Sequence, residues 1–281
     1  NSARWGIAFF SANTYEAVLV PILADFHPDS VNSLVDHSES VILLTDTDIW
    51  NKLDITKMPT IKAVISSSDF SLLYAAEDKI QKASDDLQTL FEAKYPTGFS
   101  KDDVSYPIDN DKNLAIINYT SGTSGFSKGV MIPYRAVFSN IEFARKVLPN
   151  LNHTKNVVSM LPSAHMYGLM FELLYELSVG AHVHFLSRVP SPKIIMKALA
   201  DVKPYIVVAV PLVIEKIYKS KVKPILEKEG IKFLMKLPGL NQVVLNKIKT
   251  ELVNAFGGEF HEVIIGGAAF NTEVEAFFKR M

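Results

Sequence analysis

The sequence predicts an α/β fold, with doubly wound, largely parallel sheets carrying helices on both faces. Three observations lead there. Short apolar, β-branched runs alternate with helical patterns along nearly all of the 281 residues. The run 114–119 feeds into a loop rich in glycine and hydroxyl groups. The run 262–265 ends on Gly266-Gly267. Open α/β sheets present their ligand-binding loops at the carboxyl ends of strands, where both loops fall.

Each element has its own signal. Residues 4–10 read as helix and 18–22 as strand, and Asp29 or Ser30 caps a helix ending at His37. Strands follow at 41–45 and 61–66. In 79–95 the apolar positions Ile80, Ala83, Leu87, Leu90 and Phe91 recur at helical spacing, which predicts one amphipathic helix. Residues 96–113 are rich in Pro, Gly, Ser and Asp; they read as a surface loop and an approximate boundary between two βαβ-type subdomains. Beyond 114–119 the predicted order is a short extended run at 130–132, helix 133–147, strand 157–161, helix 169–177 and strand 181–186. Ser191-Pro192 then supplies an N-cap and a first-turn proline for a helix to Val202. Strand 206–210, helices 211–229 and 240–256, and strand 262–265 complete the series. At both ends helical pattern runs off the sequence: no Met precedes the first helix, and Val274, Phe277, Phe278 and Met281 continue an apolar stripe. A piece of a longer protein is therefore expected.

Composition narrows the function classes. A net charge of −1 leaves no basic footprint for nucleic acid. Zero cysteines rule out disulfides and thiolate metal sites and fit a reducing cytoplasm. The longest apolar run, 205–214, is too short to span a bilayer and is broken by Pro211; no signal-peptide pattern is seen.

The loop Thr120-Ser121-Gly122-Thr123-Ser124-Gly125-Phe126-Ser127-Lys128-Gly129 holds three glycines, five hydroxyls and one lysine in ten residues. Such a loop suits a polyanion. Glycines bring backbone N–H groups close, hydroxyls add neutral donors, and Lys128 adds a point charge. The plainer alternative, a Gly/Ser turn between strands, needs fewer residues. A Walker A loop fails: counted from Gly122, Ser127 stands where its second Gly belongs and Gly129 where its Ser/Thr belongs. No strong helix starts directly after Lys128 either.

From Tyr119 to Gly129 the chain resembles the signature loop of the adenylate-forming enzymes: acyl-CoA synthetases, luciferases and peptide-synthetase adenylation domains. That pattern is Tyr-Thr-Ser-Gly-Thr-Thr/Ser-Gly-x-Pro-Lys-Gly, with Ser127 here in place of Pro. The resemblance implies that Thr120, Ser121, Gly122, Thr123, Ser124, Gly125, Lys128 and Gly129 cradle the ATP phosphates, with Thr123 a candidate Mg²⁺ ligand. It also gives meaning to Leu161-Pro162-Ser163-Ala164-His165-Met166-Tyr167-Gly168, between a strand and a helix. His165 becomes the candidate catalytic residue beside the substrate carboxylate. Met166, Tyr167 and Gly168 become acyl-pocket residues. Without the resemblance, His165 reads as a capping histidine, with Met166 and Tyr167 as core. Gly266, Gly267 and Ala268 correspond to the segment lining the adenine site, and Phe256-Gly257-Gly258 is similar to long-chain acyl-CoA synthetases.

The resemblance implies an incomplete N-terminal adenylation domain over 1–281, without the small C-terminal domain. The parent would be a long-chain fatty acid–CoA ligase using ATP, Mg²⁺ and coenzyme A, with peripheral membrane contact as a further option. The metal-bridging Glu, ribose-binding Asp, hinge and catalytic Lys would lie past Met281, so these residues alone should be inactive. Between Pro162 and Phe171 there is no Asp or Glu to pair with an α-ammonium, which argues for an acid with an apolar tail; Glu172 could substitute only by pointing inward. Loading of an acyl carrier protein, or nucleotide binding without catalysis, are the alternatives. His182 and His184 lack an apparent third metal ligand, and Lys216, Lys219, Lys221, Lys223 and Lys228 read first as a solvated basic face.

Overall fold

The structure, a computed structural model, describes residues 1–106, 110–120, 128–148, 150–186 and 190–280. It divides into two units, one of residues 3–138 and one of residues 139–281 together with Asn1 and Ser2. The division falls between Phe138 and Ser139, past the 96–113 loop.

In the unit 3–138, β1 (Ile42–Thr45) pairs in parallel with β2 (Ala63–Ser66), and β3 (Leu72–Ala75) adds antiparallel to β2. Sequence reading missed β3. Its signal is the turn before it: the Asp69 carboxylate accepts from the Ser71 N–H at 3.0 Å and the Ser71 hydroxyl at 2.7 Å, a tight Asx turn. β4 (Leu114–Thr120) and β5 (Lys128–Pro133) form an antiparallel ladder, with Tyr119 opposite Gly129 and Thr120 opposite Lys128. The strand expected at 18–22 is reduced to a parallel bridge between Leu19 and Ile116. Pro21 has no N–H to extend it.

Two helical expectations in this unit are revised. The helix Pro28–His37 is capped by His27, whose Nδ1 accepts the Asp29 N–H at 3.4 Å, with Pro28 in the first turn. The helix expected over 79–95 breaks at Asp86 into Asp78–Asp85 and Leu87–Lys94, where Ser84, Asp85 and Asp86 are weak helix formers. Neither piece buries a residue, so Leu87, Leu90 and Phe91 stay exposed.

In the other unit, β6 (Asn156–Ser159), β7 (His182–Phe185), β8 (Ile206–Ala209) and β9 (Glu262–Ile265) form an all-parallel sheet in the order β7-β6-β8-β9. Its strands are apolar runs, and the residues of β8 are buried throughout. Helices cover the sheet as sequence patterning requires. Pro192–Val202 starts where predicted, with the Ser191 hydroxyl accepting the Ile194 N–H. Leu240–Ala255 ends in a Schellman turn: Gly257 N–H donates to Asn254 O at 3.1 Å and Gly258 N–H to Val253 O at 2.9 Å. Gly257 there has φ +97°, and an added Cβ would meet Leu199 O at 2.7 Å. This glycine therefore has a packing reason of its own. The helix expected over 211–229 instead runs through a π turn, Tyr218–Val222, and is followed by a separate helix, Glu229–Met235. Pro224 breaks the α ladder there, because it lacks an N–H and its ring crowds the preceding turn.

Candidate functional site

The parallel sheet changes direction at β6. The connection from β6 leads outward to β7, and the chain then returns past β6 to β8 and on to β9. Adjacent strand ends with oppositely directed connections leave a crevice, which is where open α/β sheets bind ligands. Two predicted motifs stand around this switch point. The segment after β6 carries Leu161 to Gly168, and β9 ends on Gly266-Gly267-Ala268.

Tyr167 joins them. Its hydroxyl donates to the Ile264 carbonyl at 3.1 Å and lies 3.5 Å from the Ala209 carbonyl, at the ends of β9 and β8. Burial, aided by the nearby Glu172 carboxyl, pushes this phenol up to about 12, so it remains a donor at neutral pH. The ring occupies the space that a side chain at position 266 would need: a Cβ there would sit 2.8 Å from Tyr167 Cζ. Gly266 is thus a close-approach glycine, and Gly267 has φ +83°.

His165 stands at the start of the helical turn Met166–Leu169. Its Nδ1 accepts the Tyr167 N–H at 3.2 Å, and its ring is exposed. The capping role is therefore present, and Nδ1 is committed to it. Gly168 is required by packing, since a Cβ would meet the Pro162 carbonyl at 2.5 Å. The turn is further tied by Asn1, whose side chain donates to Leu161 O and accepts the Ser163 N–H at 2.8 Å.

Sequence reading did not anticipate the role of Glu172. It does point inward, and Oε2 accepts the N–H groups of Met160 at 2.9 Å and Leu161 at 2.8 Å. The residue is 1% exposed. Burial raises the carboxyl to about 8, against the opposing effect of those backbone donors. Glu176, one turn along, is buried as well and also pushed up to about 8 by burial, with the Glu172 charge adding to the shift. The period-3.6 pattern hides both: two glutamates in an apolar run look like an exposed edge. A π turn, Met170–Leu174, carries Glu172.

In the other unit, Thr120 and Lys128 face each other as the last and first residues of the paired strands, both exposed. Gly129 lies against the hairpin's own side chains, and an added Cβ would come within 3.0 Å of Ile117 Cγ2 and 3.3 Å of the Tyr119 ring. Ser121, Gly122, Thr123, Ser124 and Gly125 lie outside the described residues. No group of three His, Asp or Glu side chains that could hold a metal occurs among the described residues. His184 Nε2 instead lies 3.0 Å from Asn156 Oδ1.

The chain matches the AMP-binding enzyme family over residues 1–281. Among curated proteins, it is 25% identical over 310 residues to long chain acyl-CoA synthetase 4 of Arabidopsis thaliana, covering 99% of this chain and 44% of that protein. It is 23% identical over 309 residues to long-chain-fatty-acid–CoA ligase 5 of Rattus norvegicus, covering 99% of this chain and 43% of that protein. The chain thus spans less than half the length of these relatives. Among solved structures, ATP-bound MatB from Rhodopseudomonas palustris superposes with a TM-score of 0.66 at 16% identity, covering 99% of this chain and 45% of that one. Fold and sequence agree along the length of the chain, and it belongs to the family of AMP-binding enzymes.

Proposed function

We propose that the whole protein is an ATP-dependent fatty acyl-CoA synthetase. In the first half-reaction a substrate carboxylate oxygen attacks the α-phosphorus of ATP. The bond to the bridging oxygen breaks and pyrophosphate leaves. In the second, the coenzyme A thiol attacks the acyl carbonyl carbon, AMP departs and the thiol proton is released. Catalysis of such an in-line displacement is mainly positioning and charge neutralisation. We assign the second of these to Lys128 with the hydroxyls and backbone of 120–129, and the positioning of the acid to the turn bearing His165, Met166, Tyr167 and Gly168. Gly266, Gly267 and Ala268 would give the adenine ring bare backbone to lie on. Mg²⁺, when bound, would screen the phosphates; the described residues offer no ligand cluster for it.

The observation that carries the substrate class is the engagement of Glu172. It is the carboxyl nearest the His165 turn in sequence, and its Oε2 is taken by two backbone N–H groups within a buried setting. Oε1 has no partner among the described residues, but the residue is 1% exposed and its carboxyl, raised to about 8 by burial, is mostly protonated at neutral pH. An α-ammonium would meet no accessible counter-charge there, and an unpaired buried cation is costly. The acyl-CoA synthetases among the relatives support the same reading. A cytoplasmic location with peripheral membrane contact belongs to the proposal; the absence of cysteine in these 281 residues is compatible with a reducing compartment and does not bear on membrane contact. No helix among the described residues is long and apolar enough to cross a membrane. The test is ATP–pyrophosphate exchange by the whole protein, driven by medium- and long-chain fatty acids and not by amino acids.

A further inference from the structure

Burying a carboxyl group is expensive, and one that persists has work to do or a partner to satisfy. Glu172 has two partners on one oxygen, and their geometry is unusual for a strand end. Successive backbone N–H groups of a strand point in opposite directions. Those of Met160 and Leu161 both reach Glu172 Oε2, at 2.9 and 2.8 Å. The backbone therefore leaves extended geometry immediately after Ser159, the last residue of β6, and Glu172 holds it at the bend.

The bend is coupled to the turn bearing His165. His165 N–H donates to Pro162 O at 3.0 Å, Leu169 N–H donates to His165 O at 2.9 Å, and Gly168 lies flat against the Pro162 carbonyl. These contacts fold residues 160–165 back on the first turn of the helix, so a shift at Met160–Leu161 is carried to His165. The π turn at Met170–Leu174 is the device that aims Glu172 at the bend, since an inserted residue rotates the helix face it presents.

We infer that Glu172 is a positioning residue: by accepting the N–H groups of Met160 and Leu161 it fixes the exit of the chain from β6, and with it the place of His165 at the sheet's switch point. This rests on the acid-binding role proposed for the His165 turn. Glu172 itself does not touch substrate. What it supplies is an acceptor, which an amide oxygen can replace and a hydrocarbon of similar size cannot.

The experiment compares Glu172→Gln and Glu172→Leu with the unsubstituted whole protein, in steady-state kinetics and in backbone amide exchange. Glu172→Leu should raise KM for the fatty acid about tenfold, the loss of a buried acceptor's bonds, with KM for ATP moved less than about twofold. Glu172→Gln should stay within about threefold of the parent on both. In the parent and in Glu172→Gln the amides of Met160 and Leu161 should exchange slowly; in Glu172→Leu they should exchange at least about tenfold faster. An unchanged KM for the acid in Glu172→Leu, or a Gln variant as impaired as the Leu variant, overturns the inference. So do fast amides at Met160 and Leu161 in the parent, even if the Leu variant does not fold. A protein that adenylates no fatty acid defeats the functional reading instead, and amide exchange then decides the role of Glu172 by itself.

Discussion

His37 Nδ1 lies 2.6 Å from the Tyr119 hydroxyl, the two rings meeting edge to face at 79°. His37 ends the helix Pro28–His37, and Tyr119 stands one residue before the end of β4, opposite Gly129. The hydrogen bond thus ties the β4 arm of the β4–β5 hairpin to a helix within its own unit. Tyr119→Phe removes the bond and keeps the ring. It should cost about 0.5–1.5 kcal/mol in urea unfolding. It should also slow ATP–pyrophosphate exchange several-fold, and equal stability of the two proteins would show that the contact contributes nothing.

Lys128→Ala should weaken ATP use by about ten- to a hundredfold, because a charge-assisted bond to phosphate contributes about 1.5–3 kcal/mol. Stability should barely change, since Lys128 is exposed where β5 begins. The check is KM for ATP beside the unfolding midpoint. Unaltered exchange kinetics would remove Lys128 from the phosphate site.

Gly266→Ala would drive a Cβ to within 2.8 Å of the Tyr167 ring. Overpacking of this kind costs about 1–3 kcal/mol. If the clash is with Tyr167 alone, Tyr167→Leu should cancel most of that cost, and a double-mutant cycle would register the coupling. Additive effects would mean that the glycine is needed for another reason.

Glu172 and Glu176 set a pH dependence. Both carboxyls are raised by burial to about 8 in the fold, against an ordinary value near 4.5. The folded protein therefore holds protons that the unfolded chain has released. The stability from these groups is complete below about pH 4.5 and is lost as pH rises toward 8, by up to about 1.4 kcal/mol per pH unit for each group. Glu176→Gln cannot ionise and should become more stable relative to the parent as pH climbs from about 5.5 to about 7.5, the window between the two values. Parallel unfolding midpoints across that range would contradict the buried, protonated assignment.

How much of this was legible in sequence depends on range. Ser191-Pro192 fixed a helix start within a residue, and Glu262–Ile265 was found at its observed bounds, because caps and apolar runs are local signals. The two motifs at the switch point were legible as loops following strands. What was not legible is their meeting. The bond from Tyr167 to Ile264 spans 97 positions and needs the strand order to be known. Glu172 was hidden differently: its pattern matched a solvent-facing helix edge, and only the backbone donors after β6 explain its burial. Antiparallel β3 escaped because a four-residue strand behind an Asx turn has little periodicity to read.

ATP–pyrophosphate exchange shows whether the His165 turn receives a carboxylic acid without an α-amine. The whole protein would be given a panel of fatty acids and the amino acids in parallel. Exchange is expected with medium- or long-chain fatty acids, and background rates with every amino acid. Exchange driven mainly by an amino acid would contradict this, because the nearest carboxyl in sequence, Glu172, is buried and mostly protonated at neutral pH and offers that substrate's ammonium no accessible counter-charge.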